Sequence, residues 1–150
     1  GTRGRGLSVQ LGAASTLTRS ALVENHEGGL FTIEAITTVR DTLIAKTRHD
    51  STERFGDGVI AIGAVLDLSG VISRDNARAG ILYQDSGGSI TGSMATGNAI
   101  GLATQTVNLL AGPEVADDNV FTGNAQNVMT DGALEIPDAA TETPELPDFN

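Results

Sequence analysis

The 150-residue chain carries 19 Gly, no Cys, no Trp and only 3% aromatic residues, so it is long enough for one domain but not for an aromatic-centred core. A formal net charge of −10, with 9 scattered Lys and Arg, argues against a phosphate-binding surface; neither nucleic acid nor an anionic membrane is an expected partner. The lack of Cys removes disulfides and thiolate chemistry, and no apolar run approaches the roughly 18 residues that span a bilayer, so no membrane insertion is expected. No charged start followed by an apolar segment appears, and the sequence reads as a mature or excised piece.

In chain order, a Gly followed by apolar and small residues recurs as Gly6-Leu7-Ser8-Val9, Gly29-Leu30-Phe31-Thr32, Gly58-Val59-Ile60-Ala61, Gly80-Ile81-Leu82-Tyr83 and Gly101-Leu102-Ala103-Thr104. Asn127-Val128-Met129-Thr130 is a degenerate sixth copy, and the steps are 23, 29, 22, 21 and 26 residues. Each unit holds a second segment ending at Asn25, Thr47, Asn76, Asn98 or Asn124, at 19, 18, 18, 18 and 23 residues from the first position. Length changes are confined to Thr47–Gly58 and Gln105–Glu114. The apolar runs are short, rich in Val, Ile and Thr, and bounded by Gly, Asn, Asp and Ser, which predicts strands and turns; the Leu-x-x-Leu-x-Leu frame of leucine-rich repeats is missing. The fold class expected is all-β, a single parallel β-solenoid of about five coils of 21–29 residues, on the order of 24 Å long at about 4.8 Å per coil.

These repeats resemble the right-handed parallel β-helix repeats of the pectate-lyase-like superfamily, especially its NosD-like and bacterial cell-surface members, over Gly4 to Asp131. The resemblance implies a right-handed β-helix, in line with the general preference of parallel crossovers. It also implies that Asn25, Asn76, Asn98 and Asn124 form an asparagine ladder at a tight turn. The superfold hosts lyases, hydrolases, adhesins and spikes, so the fold alone assigns no activity.

Stacking turns the repeat into columns. Three are read as interior: Leu7, Leu30, Val59, Ile81, Leu102, Val128; then Leu17, Val39, Leu68, Ile90, Ala116; then Ala21, Leu43, Ile72, Met94, Val120. Arg19 above Asp41, and Glu24, Lys46, Asp75 in succession, alternate in sign and are read as a solvated ladder that helps fix register. A further column, Ser8, Phe31, Ile60, Leu82, Ala103, Met129, lies next to an interior one, so one of the two must face outward unless a bulge turns both inward. The covers on offer are Arg48–Phe55, Thr106–Pro113 with Val107, Leu109 and Leu110, and the C-terminal tail.

Residues 1–136 are assigned to the β-helix, read as part of a longer one because no capping helix precedes Gly6, and residues 137–150 to an acidic Pro-rich tail. That tail is either a linker or a strap in which Leu134, Ile136, Leu146 and Phe149 cover the last coil.

Galacturonan hydrolases of the family carry paired Asp, Gly-His-Gly and Arg-Ile-Lys motifs, and its lyases carry Ca²⁺-binding carboxylates with an Arg. Here the only adjacent carboxylates are Asp117 and Asp118, while the first-strand columns offer Glu34, Asp85 and Asp131 without an Arg beside them. Glu34, Asp85, Asp117 and Asp118 are therefore weak catalytic candidates, since acid–base pairs need convergent geometry. His49-Asp50 with Glu53, and His26, read as loop and turn residues rather than metal ligands; no metal and no cofactor is expected. The function expected is a non-catalytic structural or surface-display module of a bacterial extracytoplasmic protein, with weak polysaccharide contact; the alternative is a fragment of a polysaccharide lyase or glycoside hydrolase. A homo-oligomer is expected, formed through the first-coil edge at Gly6–Gln10 or through the column with Phe31, Ile60 and Leu82.

Overall fold

A computed structural model of the chain describes residues 4–108 and 112–139. It is an all-β parallel solenoid of about five coils, with no helix among the described residues. The first sheet holds β1 (Leu7–Gln10), β4 (Gly28–Ile33), β7 (Asp57–Ile62), β10 (Ala79–Gln84), β13 (Ile100–Gln105) and β16 (Gln126–Thr130), stacked in that order. The second stacks β2 (Ala14–Thr18), β5 (Ile36–Arg40), β8 (Val65–Ser69), β11 (Gly87–Thr91) and β14 (Glu114–Val115). The third stacks β3 (Ala21–Val23), β6 (Leu43–Ala45), β9 (Ile72–Arg74), β12 (Met94–Thr96) and β15 (Val120–Phe121).

The Gly that opens each unit and the Asn that closes its third strand are one device. A Cβ on Gly6, Gly58, Gly80 or Gly101 would come within 2.7 Å of the amide nitrogen of Asn25, Asn76, Asn98 or Asn124 respectively. The bare glycine therefore makes the seat for the amide. Along this column the backbone N–H of Thr47 donates to Asn76 Oδ1 at 3.0 Å, that of Asn76 to Asn98 Oδ1 at 2.9 Å, and that of Asn98 to Asn124 Oδ1 at 3.0 Å. Smaller ladders run at the other corners: Val71 N–H donates to Ser93 Oγ and Ser93 N–H to Asn119 Oδ1, while Ala64 N–H donates to Ser86 Oγ.

Register in the charged columns has a different origin from the one read in the sequence. Arg19, Asp41, Glu24, Lys46 and Asp75 all have positive φ, between 48° and 60°, and the same turns in later coils are made by Gly70, Gly92, Gly97 and Gly123. These are left-handed corner positions, and among the described residues no ion pair joins one rung of these columns to the next. The side-chain ladders fix register, not charge alternation.

The first column, from Leu7 through Leu30, Val59, Ile81 and Leu102, faces the interior with Val39, Leu68 and Ile90. Two corrections follow. Ile90 pairs with Val115 rather than Ala116, so Val115 ends the second column. The third column points outward: Ile72, Met94 and Val120 are exposed, and the interior is filled instead by Leu22, Ile44, Ala95 and Phe121 with the buried Ser73. At the last coil the interior opens as an apolar cavity of about 430 Å³ lined by Leu102, Val115, Phe121 and Val128, which leaves Val115 and Val128 partly exposed.

The column of Phe31, Ile60, Leu82 and Ala103 lies on the outer side of the first sheet and is nevertheless buried, as a second apolar cluster with Ile62, Ala79 and Ile100. Leu134 and Ile136 pack against it, and Pro137 is buried beside them. The segment after Asp131 is thus a strap across the outer face rather than a lid on the last coil. Leu109, Leu110, Leu146 and Phe149 lie outside the described residues.

Candidate functional site

The second sheet carries a polar cleft on its outer face. Its strands alternate inward with outward side chains, as in β5, where Thr37 and Val39 are buried and Ile36 and Arg40 are exposed. Pairing aligns Thr38 with Asp67 and Ser89 in one row, and Arg40 with Ser69 and Thr91 in the next. Together they line a shallow cleft of about 420 Å³. Ser89 Oγ donates to Asp67 Oδ1 at 2.8 Å, which orients one carboxylate oxygen. Arg40 makes no ion pair within 4.0 Å among the described residues, and it lines the cleft with Ser69 and Thr91. Such a face offers paired donors and acceptors at strand spacing, the chemistry that meets the hydroxyls and carboxylates of a saccharide.

The rigidity of this face comes from behind it. Tyr83 crosses the interior from the first sheet, and its hydroxyl donates to Leu66 O at 2.8 Å. Room for this contact depends on Gly88, at φ 110°, since a Cβ there would overlap the Leu66 backbone. Burial and the nearby Asp67 charge both push the Tyr83 ionisation well above the ordinary tyrosine range.

The sequence-derived carboxylate candidates fall at corners. Glu34 and Asp85 share the turn between first and second sheets, both with left-handed backbone, at φ 48° and 45°, and with the Gly63 rung between them. Asp85 Oδ1 accepts from the N–H groups of Val107 and Asn108, and so holds the chain after β13. Asp117 and Asp118 lie at the next corner, between second and third sheets, where Asp118 accepts from Gly92 N–H at 2.9 Å. The structure brings Glu34 and Asp85 into one column and keeps Asp117 and Asp118 apart from them.

In the loop 48–55, Asp50 Oδ1 accepts from the Thr52 hydroxyl, from Arg54 N–H and from Thr52 N–H, which together hold its carboxyl down at about 2. One His49 ring nitrogen meets Phe55 O at 2.8 Å, so these residues shape the loop. Among the described residues, no three His, Asp or Glu side chains gather as a metal ion requires. His26 sits where its segment pairs with that of Arg48.

Sequence reasoning missed a set of arginine contacts. Arg5 meets Glu27 through two hydrogen bonds, at 3.1 and 3.0 Å, and lies 3.7 Å from the Phe31 ring centre; Arg78 meets the fully buried Asp57 in the same two-pronged way. Spacing carries part of the signal: Glu27 and Asp57 stand two and one positions before the Gly of their units, and Arg78 and Arg5 stand two and one positions before theirs. The Thr38, Asp67, Ser89 and Arg40, Ser69, Thr91 rows were likewise legible from the second-strand spacing. Comparison with known protein families, with curated proteins and with solved structures finds no match to this chain.

Proposed function

We propose that the chain is a non-catalytic structural and display module whose second sheet makes weak polysaccharide contact. The reading rests on one observation: the cleft in which Arg40 stands beside Ser69 and Thr91, with Thr38, Asp67 and Ser89 in the adjoining row. A flat face of this kind binds through a few hydrogen bonds and one charge, so its affinity is modest and falls with salt. The finer assignment, a right-handed β-helix of the pectate-lyase-like superfamily in an extracytoplasmic protein, draws support from the coupled Gly and Asn columns.

The test is binding and turnover on polygalacturonate, alginate and neutral glycans, with and without Ca²⁺. Retention on an acidic glycan that is lost in Arg40→Ala and unchanged in Val23→Ser supports the reading. Turnover abolished by Glu34→Gln, Asp85→Asn or Asp117→Asn would replace it with the lyase or hydrolase alternative.

A further inference from the structure

The strap is held as a peptide ligand is held. Its Ile136 side chain enters the apolar face of the first sheet, its Glu135 carboxylate meets Arg54 at 2.7 Å, and its Glu135 carbonyl accepts from Arg78 at 2.8 Å. The Asp138 carbonyl accepts from Arg5, and Pro137 is buried. Upstream, Leu134 exchanges two hydrogen bonds with the Gln105 side chain, both at 2.9 Å. Extended main chain bonded at fixed points, with an alternate side chain in a pocket, is a general mode of peptide recognition.

The recognised sequence, Glu135-Ile136-Pro137-Asp138, occurs a second time ten residues later as Glu145-Leu146-Pro147-Asp148. The second copy keeps the acid, a branched apolar residue, the Pro that presets an extended φ, and the acid. It differs at the preceding position, where Pro144 stands for Leu134. Proline has no N–H to give Gln105, so the first copy is the stronger ligand and holds the groove at rest.

We propose that the outer face of the first sheet is a recognition groove for a Glu-Φ-Pro-Asp peptide, Φ being Ile or Leu, and that Glu145–Asp148 of the same chain exchanges with Glu135–Asp138 in it. The proposal goes beyond the glycan reading, concerns a different sheet, and stands whether or not that reading does. Occupation within one chain is favoured because a tether of ten residues keeps the second motif at high effective concentration, of order millimolar.

The Cys-free chain makes disulfide trapping a direct test. Ile60→Cys is combined in the full chain with Ile136→Cys as reference, with Leu146→Cys as test, and with Thr141→Cys as control. In a glutathione redox buffer the Leu146 pair is expected to close within one chain at least about fivefold faster than the Thr141 pair, which lies nearer in sequence. Adding Leu134→Ser should accelerate it further. Equal rates for the Leu146 and Thr141 pairs would overturn the proposal, and predominant cross-linked dimers would assign the groove to a second copy instead. The same three pairs built on Leu82→Cys, in the same apolar cluster, give the answer if Ile60→Cys does not fold.

Discussion

Asn25 and Thr47 stand on successive rungs of the same corner, and both are left incomplete: Asn25 Nδ2 and Thr47 Oγ1 are buried without a hydrogen-bond partner among the described residues. Every later rung places an Asn Oδ1 where the rung before it needs an acceptor. Threonine is too short to do so, and its hydroxyl is stranded as well. Thr47→Asn should therefore supply the missing acceptor and gain about 1 kcal/mol, or roughly 2–4 °C in Tm. Gly29 already leaves the seat open, and the bulky Leu22 and Phe121 on other coils coexist with their Asn neighbours. A thermal melt of Thr47→Asn beside Thr47→Val checks this: the Val variant should not lose stability, and a destabilised Asn variant would refute the argument.

Position along the ladder should set the cost of breaking it. Asn98 donates to Ser73 O, Thr96 O and Asn124 Oδ1 and accepts from both nitrogens of Asn76, whereas the Asn25 amide nitrogen meets no acceptor among the described residues. Asn98→Ala is expected to cost about 3 kcal/mol and Asn25→Ala about 1 kcal/mol or less. Urea unfolding of both variants, at unchanged m, measures the difference.

Tyr83 is the only tyrosine, so absorbance near its phenolate band reports it alone. Its folded ionisation is raised above the unfolded value near 10, which means the neutral phenol is the stabilised form. Stability is fully present below about pH 10 and is lost as pH rises beyond it, by about 1.4 kcal/mol per pH unit while the folded phenol stays protonated. Tyr83→Phe should remove that alkaline slope and cost about 1 kcal/mol at neutral pH, through the lost bond to Leu66 O. An unshifted phenol titration in the folded protein would contradict the burial argument.

Two ion pairs under the strap should differ in weight. Asp57 is fully buried and also accepts from Ala79 N–H, so Asp57→Ala strands Arg78 and a backbone donor and should cost about 3–5 kcal/mol. Glu135 and Arg54 are both more than half exposed, and Glu135→Gln should change stability by under about 0.5 kcal/mol. Chemical denaturation of the two variants separates them.

The Gly and Asn columns were readable because each residue type has a single reason to recur at that corner. The third strands were not. They are two or three residues long, so alternation leaves little inward signal per coil, and at Ser73 and Ala95 the inward side chain is small. The larger Ile72 and Met94 beside them face out, which reverses the usual cue of size and apolarity. The left-handed corners misled in the same way: Lys46 and Asp75 looked like an electrostatic pattern, while Gly97 and Gly123 in the same column marked a backbone requirement. The strap was visible as an apolar stripe in need of cover, but its anchors Arg5, Arg54 and Arg78 come from stretches far apart in sequence, so what they hold together depends on how the coils stack.

Because Gln105 on the fifth coil and Arg5 before the first are tied to residues only four apart in the strap, Leu134 and Asp138, the two ends of the stack are linked outside the stack itself. A row of coils coupled only to its neighbours would peel from either end, one coil at a time. With the strap in place the first coil cannot peel without releasing a segment that also grips the last, so melting should be a single transition in the intact chain and should spread into steps once the strap is freed.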